Sequence, residues 1–183
     1  MQERWMNQID EITDAFKQSF GMLTIELLNW KPNQNTWSIG QNLDHLIVIN
    51  GSYYPVIKAV REGTYKLPFI AKFDFMVSFF GRTVLKAVQP DRKKKMKTFP
   101  VWEPTKSGIK SDIWERFDKQ QTDLKRLIQS CSDLLERGTI ISSPANRNIV
   151  YKLETSFDII VSHEWRHFEQ SMEIERIRKQ KCL

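Results

Sequence analysis

The sequence predicts an all-α protein: a four-helix bundle with an additional helix and a long loop between the second and third main helices. Three observations predict it. Apolar residues recur every three or four positions along most of the chain, the signature of helices with one buried stripe. No segment alternates with period two for long, so no sheet is expected. Prolines, glycines and cap-forming polar residues fall between the stripes, where helices must start and stop. A chain of 183 residues can bury one substantial core, so residues 1–183 read as a single domain.

The first stripe is Trp5, Ile9, Ile12, Phe16, Phe20, Leu23, Leu27 and Trp30, read as one continuous helix ending at Lys31-Pro32-Asn33. The second helix opens at Ser38, where Gln41 three residues later completes a capping box. Its inward stripe is Ile39, Asn42 or Leu43, Leu46, Ile49, Tyr53, Val56 or Ile57, and Val60, with Pro55 expected to kink it and Gly63 to stop it. A third apolar stretch, 67–88, reads as the additional helix from Phe73 to Val88. The polar stretch Gln89–Ser107 contains Pro90, Pro100 and Pro104 and is long for a bundle connection, which points to a functional loop, a cover or a mobile segment. The next helix runs from about Ser111 to Arg137, with Ile113, Phe117, Gln121, Leu124, Ile128, Cys131 and Leu135 inward and Gly138 at its end. Ile140-Ile141 and Ile149-Val150 are too short to found a sheet. The last helix starts near Thr155, where Thr155 and Asp158 resemble a capping box, and runs to about Lys179.

Composition narrows the function classes. The formal charge is +6, and part of the excess sits in the run Arg92-Lys93-Lys94-Lys95-Met96-Lys97. Such a run can touch nucleic acid or anionic lipid but is more often a solvated loop, and charges of both signs mix on the other helices. Nucleic acid is therefore not an expected partner, even with Trp102 near the run. The 67–88 window contains Lys72, Asp74, Arg82 and Lys86, too many charges for a membrane span, and no membrane association is expected. Cys131 and Cys182 form no CxxC and no disulfide framework. With no signal peptide at the start, the expected location is the cytoplasm. Trp5, Trp30, Trp37 and Trp114 read as core or helix-junction anchors.

The residues that carry chemistry are the three histidines of the chain. The inward stripe of the last helix reads Ile160, His163, His167, Gln170 or Ser171, Ile174 and Ile177. Histidines four apart stand one turn above each other on one helix face and can bind one ion together. The run His163-Glu164-Trp165-Arg166-His167 matches HExxH, yet an all-α chain lacks the substrate-edge strand of a zinc protease. Glu164 reads either as a base near the metal or as a solvated carboxylate. His45, on the second helix, precedes inward Leu46 and flanks the same core. An isolated pair of histidines is more often a hydrogen-bonded core pair than a metal site; a third imidazole strengthens the metal reading. Three imidazoles also leave coordination positions open, as in catalytic rather than structural sites. Nickel, zinc, iron and manganese would each accept these ligands in part.

At these residues the sequence resembles the DinB-like superfamily of bacterial metal-binding four-helix bundles. Trp37-Ser38-Ile39-Gly40-Gln41-Asn42-Leu43-Asp44-His45-Leu46 is similar to the entry of that family's second helix. His163-Glu164-Trp165-Arg166-His167-Phe168-Glu169-Gln170 is similar to its last-helix histidine pair with a following glutamine; Glu169 stands where many relatives have glycine. The helix order and the long second-to-third connection also agree.

The resemblance implies an up-down-down-up bundle, commonly a homodimer, with His45, His163 and His167 on one divalent ion, nickel or zinc. Relatives include S-transferases that use bacillithiol or mycothiol and an isomerase that uses mycothiol; others are linked only to stress responses. The expected function is therefore a divalent-metal-dependent transfer of a small thiol onto an electrophilic small molecule, with Glu164, Arg166 and Gln170 as candidates for substrate contact or support of the ligands. A non-catalytic metal- or ligand-binding stress-response protein and a metal-dependent hydrolase are the alternatives.

Overall fold

The computed structural model describes residues 1–91, 98–106 and 108–181. The basic run 92–97 and Cys182 lie outside the described residues. Eight helices and one hairpin are present among those described: α1 (Gln2–Phe20), α2 (Ile25–Asn29), α3 (Ile39–Gly51), α4 (Tyr53–Arg61), α5 (Asp74–Ala87), α6 (Ile113–Ser130), α7 (Ser132–Glu136), β1 (Ile140–Ser143), β2 (Asn146–Lys152) and α8 (Leu153–Lys181). Four of them build the bundle. Helix α1 packs on α6 and α8, and α3 packs on the same two, so α1 and α3 stand on opposite corners. The fold is the four-helix bundle the sequence predicts, with α5 as the additional helix.

The predicted stripes become the core. Trp5, Ile9, Ile12, Phe16 and Phe20 of α1 are buried against Phe117, Leu124 and Ile128 of α6 and Phe157 and Ile160 of α8, within one apolar cluster. Phe16 lies at the centre of an aromatic group, with ring centroids 5.4 Å from Phe117 and 5.3 Å from Phe168. Rings at this spacing and tilt gain from edge-to-face packing as well as from area.

Five expectations need correction. The first stripe is two helices, not one. Gly21 weakens the helix, and Thr24 takes extended geometry as the N-cap of α2. The phase therefore shifts, and Leu28 becomes the buried residue of α2. Pro55 does not kink a continuous helix; the chain breaks at Ser52, one turn upstream, where the proline ring would crowd the carbonyl of residue 51. The Ser111–Arg137 helix likewise divides at Cys131, and Leu134 rather than Leu135 is buried. Finally, residues 140–152 do form a hairpin, with Ile141 opposite Tyr151 and Ser142 opposite Val150. Two strands alone are marginal in water. This pair is held because Val150 packs on Ala71 and Val77, and the Tyr151 hydroxyl meets that of Tyr53 at 2.9 Å.

Helix α8 begins at Leu153, directly after β2, so Thr155 and Asp158 make no cap. Asp158 instead accepts from the Trp5 indole at 2.8 Å and pairs with Arg4, tying α8 to the start of α1. The stops at Gly63 and Gly138 are as expected: both have positive φ, +67° and +62°, which costs glycine least.

Candidate metal centre

The site is assembled from two helix faces and one loop. The Ser38 capping box forms in full: the Gln41 N–H donates to the Ser38 hydroxyl at 3.1 Å, and the Ser38 N–H donates to Gln41 Oε1 at 3.2 Å. It fixes the first turn of α3, and with it Asn42 and His45. From α8, His163 and His167 project one turn apart toward the same point. The three imidazoles meet as predicted, with one ligand nitrogen from each within 4.8 Å of the others.

The hydrogen bonds decide which nitrogens are free. His45 Nδ1 lies 2.6 Å from the Trp102 carbonyl oxygen. A carbonyl only accepts, so Nδ1 carries the proton and Nε2 keeps its lone pair. His167 Nδ1 lies 2.6 Å from Asn42 Oδ1, and the Asn42 amide is oriented by donating Nδ2–H to the Ser38 carbonyl at 2.9 Å. That fixes the same tautomer in His167. Its Nε2 faces His163 Nε2 at 3.0 Å. Two ligands on one tetrahedral zinc stand about 3.3 Å apart, given bonds of ~2.0–2.1 Å. The donor set, the converging lone pairs and the supported far nitrogens all fit a divalent ion.

The electrostatics agree. Burial lowers the pKa of His45, partly opposed by the Trp102 carbonyl and Asp44. Burial and the neighbouring imidazoles hold His163 and His167 well below the usual histidine value. Neutral imidazole is the form that binds metal. By residue exposure His45 and His167 are buried, and His163 is the most accessible of the three. Trp37 closes one side, stacked on His167 with centroids 5.9 Å apart and tilted on His45 at 4.9 Å.

The described end of the long loop, residues 98–106, is clamped over the site. The Asp44 carboxylate accepts from the Thr105 N–H at 3.0 Å, the Thr105 hydroxyl at 2.9 Å and Arg116 at 2.8 Å. Burial would raise the Asp44 pKa, but these donors outweigh it and hold the acid below its ordinary value. Gln41 Nε2 adds a bond to the Thr105 carbonyl. Trp102 is buried, its indole donating to the Ser52 hydroxyl at 3.1 Å.

The other predicted site residues divide. Glu164 is neither a solvated carboxylate nor a partner of the histidines in hydrogen bonding. It is fully buried, and its Oε1 accepts from Asn50 at 2.6 Å and Gln121 at 2.9 Å, linking α8 to α3 and α6. Burial pushes its pKa up to about 7, against the pull of those two amides. Arg166 is buried and donates to the Gln89 carbonyl at 3.1 Å, on the side of the loop that follows α5. Gln170 is half-buried, one turn beyond His167. Asn42, Asp44 and the Trp102 carbonyl are the supports that sequence reasoning missed. A run of polar residues (Gln41, Asn42, Asp44) on a buried helix turn was the available signal for two of them. Replacing Asn42 with alanine strands the His167 Nδ1–H, and metal affinity should fall about 10–100-fold with the helix content unchanged. Competition with a chelating dye would measure it.

A model of the DinB superfamily matches residues 8–171, and the chain belongs to that superfamily. No curated protein matches it in sequence. Among solved structures it is similar to YfiT from Bacillus subtilis, described as "a probable metal-dependent hydrolase with an unusual four-helix bundle topology". The identity is 14%, the TM-score is 0.59, and the match covers 97% of this chain and 87% of that one. Among the described residues no helix is long and apolar enough to cross a membrane.

Proposed function

We propose that this protein is a divalent-metal-dependent enzyme that activates a low-molecular-weight thiol for attack on an electrophilic small molecule. One observation carries the reading: three imidazole nitrogens converge, two with their far nitrogens already committed, and three imidazoles leave coordination positions free for a thiol or water. Zinc or nickel suits an all-imidazole donor set. When bound, such an ion would favour the deprotonated form of a thiol or water held beside it. The chain supplies the rest. His45, His163 and His167 would hold the ion. Asn42 and the Trp102 carbonyl keep two rings in the binding tautomer. Trp37 and the Asp44-clamped loop exclude water from the closed sides. Gln170, half-buried one turn beyond His167, would contact the substrate, while Glu164 and Arg166 act by holding α8 and the loop in place.

A second reading is hydrolysis in the same site, with water as the nucleophile; the description given to YfiT favours it. The two separate in one experiment on metal-loaded protein. Consumption of monochlorobimane with bacillithiol, mycothiol, glutathione or cysteine, lost on chelation and restored by metal, is the expected result. Cleavage of activated esters or amides without any thiol would select the hydrolase. A metal-loaded protein that does neither is a binding protein, and the enzyme reading falls.

A further inference from the structure

We propose that the outer face of α5 docks on an anionic lipid bilayer surface. Between residues 67 and 79 the chain exposes a group of large apolar side chains: Phe69 is 70% exposed, Phe75 67% and Phe79 55%, with Leu67 and Phe73 above 40%. Scattered exposed apolar residues need no explanation, but a contiguous aromatic patch does. The patch is contiguous. Phe69, Phe73 and Phe75 lie in ring contact, at 5.5 and 6.0 Å between successive centroids. Phe75 and Phe79 are one turn apart on α5. The opposite face is committed to the protein. Val77, Gly81 and Ala87 point inward, and a Cβ on Gly81 would come within 3.2 Å of Thr155, so α5 lies tight against α8. The aromatic face is thus held rigidly outward.

Charge selects the occupant. Residues 66–88 carry four basic side chains, Lys66, Lys72, Arg82 and Lys86, against one acid, Asp74, and all five are exposed. Lys72 rests on the Phe69 ring, its Nζ 5.1 Å from the centroid. Arg82 and Lys86 continue the Phe75–Phe79 stripe at helical spacing. Aromatics flanked by lysine and arginine on one helix face suit the headgroup region of a bilayer, where the rings enter the acyl boundary and the cations meet anionic headgroups. A second copy of the same face would instead bring like charges together around the rings. At 14 residues, or about 21 Å, α5 is too short to span the ~30 Å hydrocarbon core and would lie along the surface. The proposal departs from the sequence-based expectation of no membrane association, which weighed only a spanning helix and the 92–97 run. It is independent of the metal chemistry.

Vesicle sedimentation of the full chain tests it. The protein should pellet with vesicles of phosphatidylcholine mixed with phosphatidylserine and remain in solution with phosphatidylcholine alone. F75E/F79E should abolish pelleting. K72Q/R82Q/K86Q, which leaves every ring in place, should lower partition onto the mixed vesicles by roughly a hundredfold, since each basic residue near the surface contributes about fivefold. Light scattering should give both variants the wild-type mass. The proposal is overturned if the wild type does not pellet with the mixed vesicles, if the lysine and arginine variant binds as well as the wild type, or if F75E/F79E halves the mass in solution, which would make the patch a subunit interface.

Discussion

Purified His163→Ala protein should contain almost no divalent metal, whereas the wild type should carry about one ion per chain. His163 supplies one of three converging nitrogens, and two imidazoles cannot hold an ion as three do. Losing a residue that merely supports a ligand costs 10–100-fold in affinity, and losing a ligand should cost at least ~100-fold. Metal-dependent turnover should fall in parallel. The fold should survive, because the substitution removes an imidazole from the histidine cluster and leaves the apolar core of the bundle intact. Thermal melts provide the control. An ion at a hundredfold excess over its Kd stabilises the folded state by about 2.7 kcal/mol, or roughly 5–10 °C for a chain of this size. A chelator should lower the wild-type Tm by about that much and leave the variant unmoved. Equal metal content in both proteins by elemental analysis would remove the site.

Phe16→Ala should destabilise the protein by about 3–5 kcal/mol, read as a shift in the urea midpoint. Phe16 is fully buried and packs on Phe20, Phe117 and Phe168, so it bridges three of the four bundle helices. The whole stability of a domain is only about 5–15 kcal/mol, so this one change removes a large share of it. Phe168 follows His167 directly, and the loss should loosen the metal centre as well. The ordering of effects separates the two roles: Phe16→Ala lowers stability first and metal affinity as a consequence, while His163→Ala abolishes metal binding and leaves metal-free stability near the wild type. A Phe16→Ala protein as stable as the wild type would mean that the aromatic group is not the centre of the core.

The sequence determined the bundle and the paired histidines of the last helix because both depend on local spacing. Trp5, Ile9, Ile12, Phe16 and Phe20 can share one face only in a helix, and His163 and His167 four apart must stand together on another. The Ser38–Gln41 box fixed the turn that carries His45. Tertiary structure decided what spacing cannot express. The breaks at Gly21, Ser52 and Cys131 depend on how each segment must turn to reach the core, and the hairpin exists only because α5 and Tyr53 cover it. Glu164 sits one residue from His163, yet the helix rotates it about 100° away, to Asn50 and Gln121. The support for His45 is a backbone carbonyl 57 residues distant, which carries no residue identity at all; it is placed by Asp44 gripping Thr105, and only the folded chain brings those groups together.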